Sequence, residues 1–139
     1  MSRIDWNLLV LAAGEGAPLQ PVQLQKALFL LGQKATAWVE KNFYTFEPYD
    51  YGPFDKEIYS DVDRLVADGL AYVQSGRMKV FGATAKGVSR AEELGAKIPE
   101  MWAYVKQLVA WVRGLSFNDL VRAIYAEYPA YRAKSVFQG

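Results

Sequence analysis

Three observations predict a mainly helical α+β fold, with a winged helix-turn-helix core, a β-hairpin wing and additional C-terminal helices. An amphipathic stretch over residues 55–68 stops at Gly69-Leu70, where a glycine suits the left-handed end of a helix and a leucine can fold back on the last turn. Two strand-like runs, residues 71–75 and 77–83, follow with Ser75-Gly76 as the turn between them. A new helix then starts at Thr84, a residue type that caps helix N-termini. Helix, tight stop, hairpin and helix, in that order, make a winged-helix module.

The elements follow in order. Ile4, Leu8 and Leu11 recur at helical spacing, which predicts helix 1 over residues 3–13 with Ser2 as its N-cap and Gly14 beyond its end. After a loop over 14–21, helix 2 is expected over 22–41. Leu24, Leu28, Leu31, Ala35 and Trp38 share one stripe, and Pro21 suits the first turn. Residues 42–54 are dense in aromatics (Phe43, Tyr44, Phe46, Tyr49, Tyr51, Phe54) and read as a strand and loop that cap the core. In helix 3, Ile58, Val62, Leu65 and Val66 are assigned to the core. In the wing, Met78 and Val80 share one face of the second strand, and Arg77, Lys79 and Phe81 share the other. The helix from Thr84 is expected to reach about Leu94, with a hinge over 95–99. Helix 5, over 100–113, places Trp102, Val105, Val109 and Val112 on one stripe widened by Met101, Leu108 and Trp111. Helix 6 starts at a capping-box-like Ser116 and Asp119, carries Phe117, Leu120, Val121, Ile124 and Tyr128, and ends at Pro129.

With 139 residues, 52% of them apolar, the chain suits one domain with a substantial core, 1–94 as the winged-helix part and 95–139 as a helical extension packed on it. The net charge of +1 gives no global bias toward nucleic acid or anionic membrane. The apolar run at 8–13 is too short to span a bilayer and lacks the layout of a signal peptide, so a soluble cytoplasmic protein without membrane contact is expected. The chain has no cysteine and no histidine. That removes disulfides, thiolate nucleophiles, sulfur or imidazole metal sites and the Ser-His triad. No Gly-rich phosphate loop is present, since Gly14-Glu15-Gly16 lacks a preceding strand and a following glycine. No catalytic residue, metal or cofactor is expected. Glu57 and Asp61, one helical turn apart, have the spacing of oxygen ligands but read as surface charge.

Charge then separates two binding functions. Helix 3 carries Asp55, Glu57, Asp61, Asp63 and Asp68 against Lys56 and Arg64, a formal −3. In a DNA-reading helix-turn-helix this helix would enter a polyanionic groove, where affinity rests on Lys and Arg. Glu57, Asp61, Asp63, Arg64 and Asp68 are therefore candidates for a docking face toward a basic protein partner. The bases lie elsewhere: Arg77 and Lys79 on the wing, and Lys86 and Arg90 just after it, are the candidates for a DNA contact led by the wing. The wide apolar stripes of helices 5 and 6 also leave a homodimer open.

Several segments resemble a known group. Leu24-Gln25-Lys26-Ala27-Leu28-Phe29-Leu30 resembles the "LQK-apolar" helix of prokaryotic Panacea-domain proteins, which include SocA-type antitoxins. Tyr51-Gly52-Pro53-Phe54 resembles that group's aromatic-Gly-Pro turn, which leads into a helix ending in Gly-Leu, here Gly69-Leu70. Thr84-Ala85-Lys86-Gly87 resembles the helix start after the wing in many winged-helix proteins. Tyr128-Pro129-Ala130-Tyr131-Arg132, with Ser135-Val136, resembles the C-terminal end of related small proteins. The resemblance implies a winged-helix core and a regulatory or antitoxin-like binder whose partner is a protein such as a toxin. It brings no catalytic residues. Gln25, Lys26, Tyr51, Gly52, Pro53 and Gly69 are its structural positions, the glycines and proline setting backbone geometry. The expected function is a non-enzymatic regulatory module, antitoxin-like or adaptor-like, that binds a protein partner; the alternative is a DNA-binding transcriptional regulator.

Overall fold

Ser2 starts the first helix of the computed structural model, which describes residues 1–138. Its hydroxyl accepts the Asp5 N–H and its own N–H donates to the Asp5 carboxylate, so two orphan donors are satisfied reciprocally. The helix, α1 (Arg3–Ala12), is buried on every side from Trp6 to Ala12, as expected of an element apolar all round. It packs against α2 (Pro21–Lys34), α3 (Glu57–Ala67), α4 (Ala85–Ala96) and α5 (Pro99–Gly114). The fold is mainly α with two small antiparallel sheets, β1 (Glu47–Tyr49) with β2 (Gly52–Phe54) and β3 (Ala71–Gln74) with β4 (Val80–Ala83). Helix α6 (Phe117–Glu127) and a 3-10 turn over Pro129–Arg132 complete it. Among the described residues, no helix is long and apolar enough to cross a membrane.

The corner between α3 and α4 is built from local chemistry. Gly69 has φ +75°, the left-handed end anticipated for this helix. The Thr84 hydroxyl donates to Gly69 O at 2.7 Å and accepts the Gly87 N–H at 3.1 Å. Gly87 is required there, because a Cβ would lie 1.9 Å from Leu70 O. The hairpin registers Ala71 with Ala83 and Gln74 with Val80. Leu19 adds a bridge to Phe81 through two 2.8 Å backbone bonds.

Several expectations need correction. Helix α2 ends at Lys34, not at residue 41, and Ala35 leaves helical geometry (φ −106°, ψ 39°). The chain then folds back, and the Phe43 ring lies over Gly32, where a Cβ would approach it to 3.0 Å. The expected hinge is a tight corner: α4 runs to Ala96, and Gly95 is buried beneath Trp102, whose ring would be 2.4 Å from a Cβ. Strand β4 begins only at Val80, which moves Arg77 and Lys79 from the strand to the turn. Val66, Trp111 and Phe117, assigned to core stripes, are 38%, 46% and 40% exposed. The aromatic segment is a full hairpin, with Pro48 opposite Pro53, rather than one strand and a loop.

Candidate functional site

Two consecutive residues of α2 hold the end of the β1–β2 hairpin. Gln25 makes paired bonds with the backbone of Asp55: its Nε2 donates to Asp55 O at 2.9 Å and its Oε1 accepts the Asp55 N–H at 3.0 Å. Lys26 Nζ donates to Pro53 O at 3.2 Å. The Asp55 carboxylate accepts the Thr45 and Glu57 N–H groups at 2.8 and 2.9 Å, which satisfies an orphan donor at the start of α3. Gln25, Lys26, Gly52 and Pro53 thus meet as one clamp. Tyr51 lies at its exposed edge with its ring 5.1 Å from that of Phe117, and Gly69 belongs to the separate α3–α4 corner.

Beside the clamp is a cavity of about 250 Å³, lined by Val22, Lys26, Tyr49, Tyr51, Phe54 and Tyr59 among others. Lys26 is 3% exposed, whereas Tyr49 and Tyr51 are 52% and 44% exposed. The lysine therefore sits at the inner end and the tyrosines at the mouth. Burial pushes the Lys26 ammonium down to about 8, because a charge removed from water is disfavoured. It makes no ion pair among the described residues. Gly52, with φ +109°, separates it from Tyr125: a Cβ there would lie 3.4 Å from Lys26 Cε, 3.5 Å from Nζ and 3.5 Å from Tyr125 Cε1. The Tyr125 hydroxyl is buried without a hydrogen-bond partner.

The acidic residues of α3 do not form one continuous face. Asp61 is anchored inward: Arg3 Nε lies 3.0 Å from its carboxylate, and the Tyr44 hydroxyl donates to it at 2.6 Å. Glu57 shares the same guanidinium at 3.7 Å. Asn7 Nδ2 donates to Tyr44 Oη at 3.0 Å and to Ile58 O at 3.1 Å. Burial, and next the bond to Asp61, push the Tyr44 phenol well above its ordinary range. Asp63 is exposed, and Arg64 and Asp68 approach each other to 4.0 Å. The solvent side of α3 thus presents Lys56, Glu57, Asp63, Arg64 and Asp68, two bases against three acids, with Glu57 also paired to Arg3.

The basic candidates are also divided. Arg77 and Lys79 are exposed on the hairpin turn and form no ion pair among the described residues. Lys86 Nζ donates to Asp68 O at 3.2 Å, and Arg90 pairs with Glu93 at 3.5 Å. Four of nine exposed large hydrophobics, Tyr49, Tyr51, Phe117 and Val136, gather on one side. Phe117 contacts the rings of Tyr51 and Phe137, and Val136 N–H donates to Asp50 O at 2.9 Å.

Sequence reasoning left out Arg3, Asn7 and Tyr44 as partners of α3, and Tyr125 as a neighbour of Lys26. A tyrosine in an apolar helix stripe carries no local sign of an unpaired hydroxyl. Compared with protein-family models, curated proteins and solved structures, the chain matches none.

Proposed function

We propose that this chain is a non-enzymatic binding module of winged-helix type, antitoxin-like or adaptor-like in role, whose partner is a protein. The order α3, Gly69, β3–β4 hairpin and α4 supports the winged-helix reading, and so does the resemblance of the Gln25-Lys26 and Tyr51–Phe54 segments to Panacea-domain proteins. One observation carries the choice of partner. The exposed aromatic surface of Tyr49, Tyr51 and Phe117 is where apolar exposure concentrates, and such patches mark protein contacts. The acidic face expected for this role is narrower, since Asp61 is anchored inward and Glu57, Asp63 and Asp68 remain at the surface.

A DNA-binding regulator is the second reading, favoured by Arg77 and Lys79 on the exposed turn. The three candidate bases without an ion pair among the described residues, Arg77, Lys79 and Lys86, supply few phosphate contacts, and the solvent side of α3 adds no positive excess. The test pairs an anisotropy titration of mixed-sequence duplex DNA with affinity purification from the source cells. We expect no DNA binding at low salt, and a protein retained by the wild type but lost from Tyr51→Ser/Phe117→Ser. Salt-sensitive micromolar DNA binding that disappears in Arg77→Ala/Lys79→Ala would overturn the protein-partner reading in favour of the regulator.

A further inference from the structure

We propose that the cavity between α2 and the β1–β2 hairpin binds an aromatic carboxylate, its acid group received by Lys26 and its ring by the surrounding side chains. The inference stands on the cavity and its charge, independently of the protein-partner reading.

The polar side chains of the lining are Gln25, Lys26, Asp50, Tyr49, Tyr51 and Tyr59. Both ends of the Gln25 amide are used on the Asp55 backbone. Asp50 is the one acid in the lining; it belongs to the exposed mouth, and its carbonyl holds Ser135 and Val136 of the tail. Lys26 has three N–H donors and uses one, on Pro53 O. Among the described residues it is the one cation in the lining, nearly dry, and without an acidic partner. A buried ammonium held by a single neutral carbonyl is incompletely compensated. A carboxylate entering from the mouth supplies the missing charge, and charge-assisted bonds in such surroundings are the strong ones.

The rest of the cavity selects what carries that acid. Tyr49, Phe54 and Tyr59 present rings, with Tyr49 stacked on Phe54 at 4.7 Å and Phe54 edge-on to Tyr59 at 5.9 Å. Pro21 and Val22 close the α2 side. The volume of 250 Å³ exceeds the roughly 150 Å³ of an engineered apolar cavity that holds benzene, leaving room for one ring and a carboxylate. Both a free aromatic acid and the C-terminal aromatic residue of a peptide have this chemistry.

Calorimetric titration of the unmodified protein decides the matter. The probes are 4-hydroxyphenylacetate and the peptide acetyl-Gly-Gly-Phe with a free C-terminus, each beside its amide. At least one acid is expected to bind saturably, at least tenfold tighter than its amide, and that preference should vanish in Lys26→Met. A better fit of the small acid identifies a free metabolite as the ligand; a better fit of the peptide identifies a chain terminus. No saturation by either acid up to 10 mM, equal affinity for acid and amide, or an acid preference that survives in Lys26→Met would each overturn the proposal. The acid–amide comparison needs no variant, so it stands even if Lys26→Met does not fold.

Discussion

Around Tyr44, each charge that leaves water meets its opposite. Asp61 accepts from Arg3 and from the Tyr44 hydroxyl, and Arg3 lies 5.0 Å from the Tyr44 ring centroid while also reaching Glu57. Among the described residues, the Lys26 charge meets only a carbonyl, while each cluster also holds one buried neutral atom without a partner, Asn7 Oδ1 beside Tyr44 and the Tyr125 hydroxyl near Lys26. Both clusters lie against the aromatic segment 43–54, one toward α1 and α3, the other toward α2 and α6. The first has the composition of a cluster that fixes the fold. The second leaves donors free beside a cavity, which is the composition of a place where something else binds. The difference teaches that burial of a charged residue does not by itself reveal its role; whether its charge is matched does.

Breaking the balanced cluster should have the largest effect. Asp61→Asn keeps the shape but leaves Arg3 without its closest acid and weakens the bond from Tyr44. Asp61 is 15% exposed but Arg3 is 36% exposed, so solvent screening lowers the cost of a fully buried pair to about 2 kcal/mol. Urea denaturation at pH 7 should show a loss of that size. A loss under about 1 kcal/mol would put the cluster among ordinary surface pairs and remove the contrast with Lys26.

The unbalanced cluster should reveal itself through pH. The folded-state value of Lys26, about 8, lies below its ordinary 10.5. Between those values the unfolded chain still holds a proton that the folded protein has released, so stability rises with pH. Below about pH 8 both states are protonated and the burial penalty is fully present. From pH 7.5 to 9.5 this group should add about 2 kcal/mol. Tyr44 and Tyr59 are shifted upward, so their opposing effect begins only near pH 10. Denaturation of wild type and Lys26→Met at the two pH values checks it; equal slopes would show that Lys26 is not desolvated.

How much of this was legible in the sequence depends on the range of the interaction. The Gly69 stop, the Ser2 and Ser116 caps and the Thr84 start are local, and each appears where its residue type places it. The end of α2 is not legible because its apolar period continues to Trp38, past Lys34 where the helix stops, and the return of the chain over Gly32 shows only in the distant contact with Phe43. The hairpin β1–β2 was half hidden because Pro48 and Pro53, which weaken a strand signal, sit opposite each other in it. The role of Asp61 rests on Arg3, 58 positions earlier, a pairing that no period encodes. Lys26 was marked only by resemblance. Its burial follows from α2 being enclosed on all sides from Leu24 to Leu31, a property of the assembled helices rather than of the motif.

The smallest expected effect is the sharpest test of the comparison. At pH 7, Lys26→Met removes a charge that the fold has desolvated and fills the same space with an unbranched apolar chain. It also leaves Pro53 O without its donor, a loss of about 1–3 kcal/mol when the group stays dry. Relief of the buried ammonium offsets this by a similar amount, because replacing an incompletely paired buried charge with an apolar residue is often neutral or stabilising. The net change in urea denaturation should therefore stay within about 1 kcal/mol of wild type. A loss of about 2 kcal/mol or more would make Lys26 as firm an anchor as Asp61, and its single bond to the hairpin would then suffice to explain it. A near-zero change would leave its charge without a structural role, and the cavity it lines would be the place to look for one.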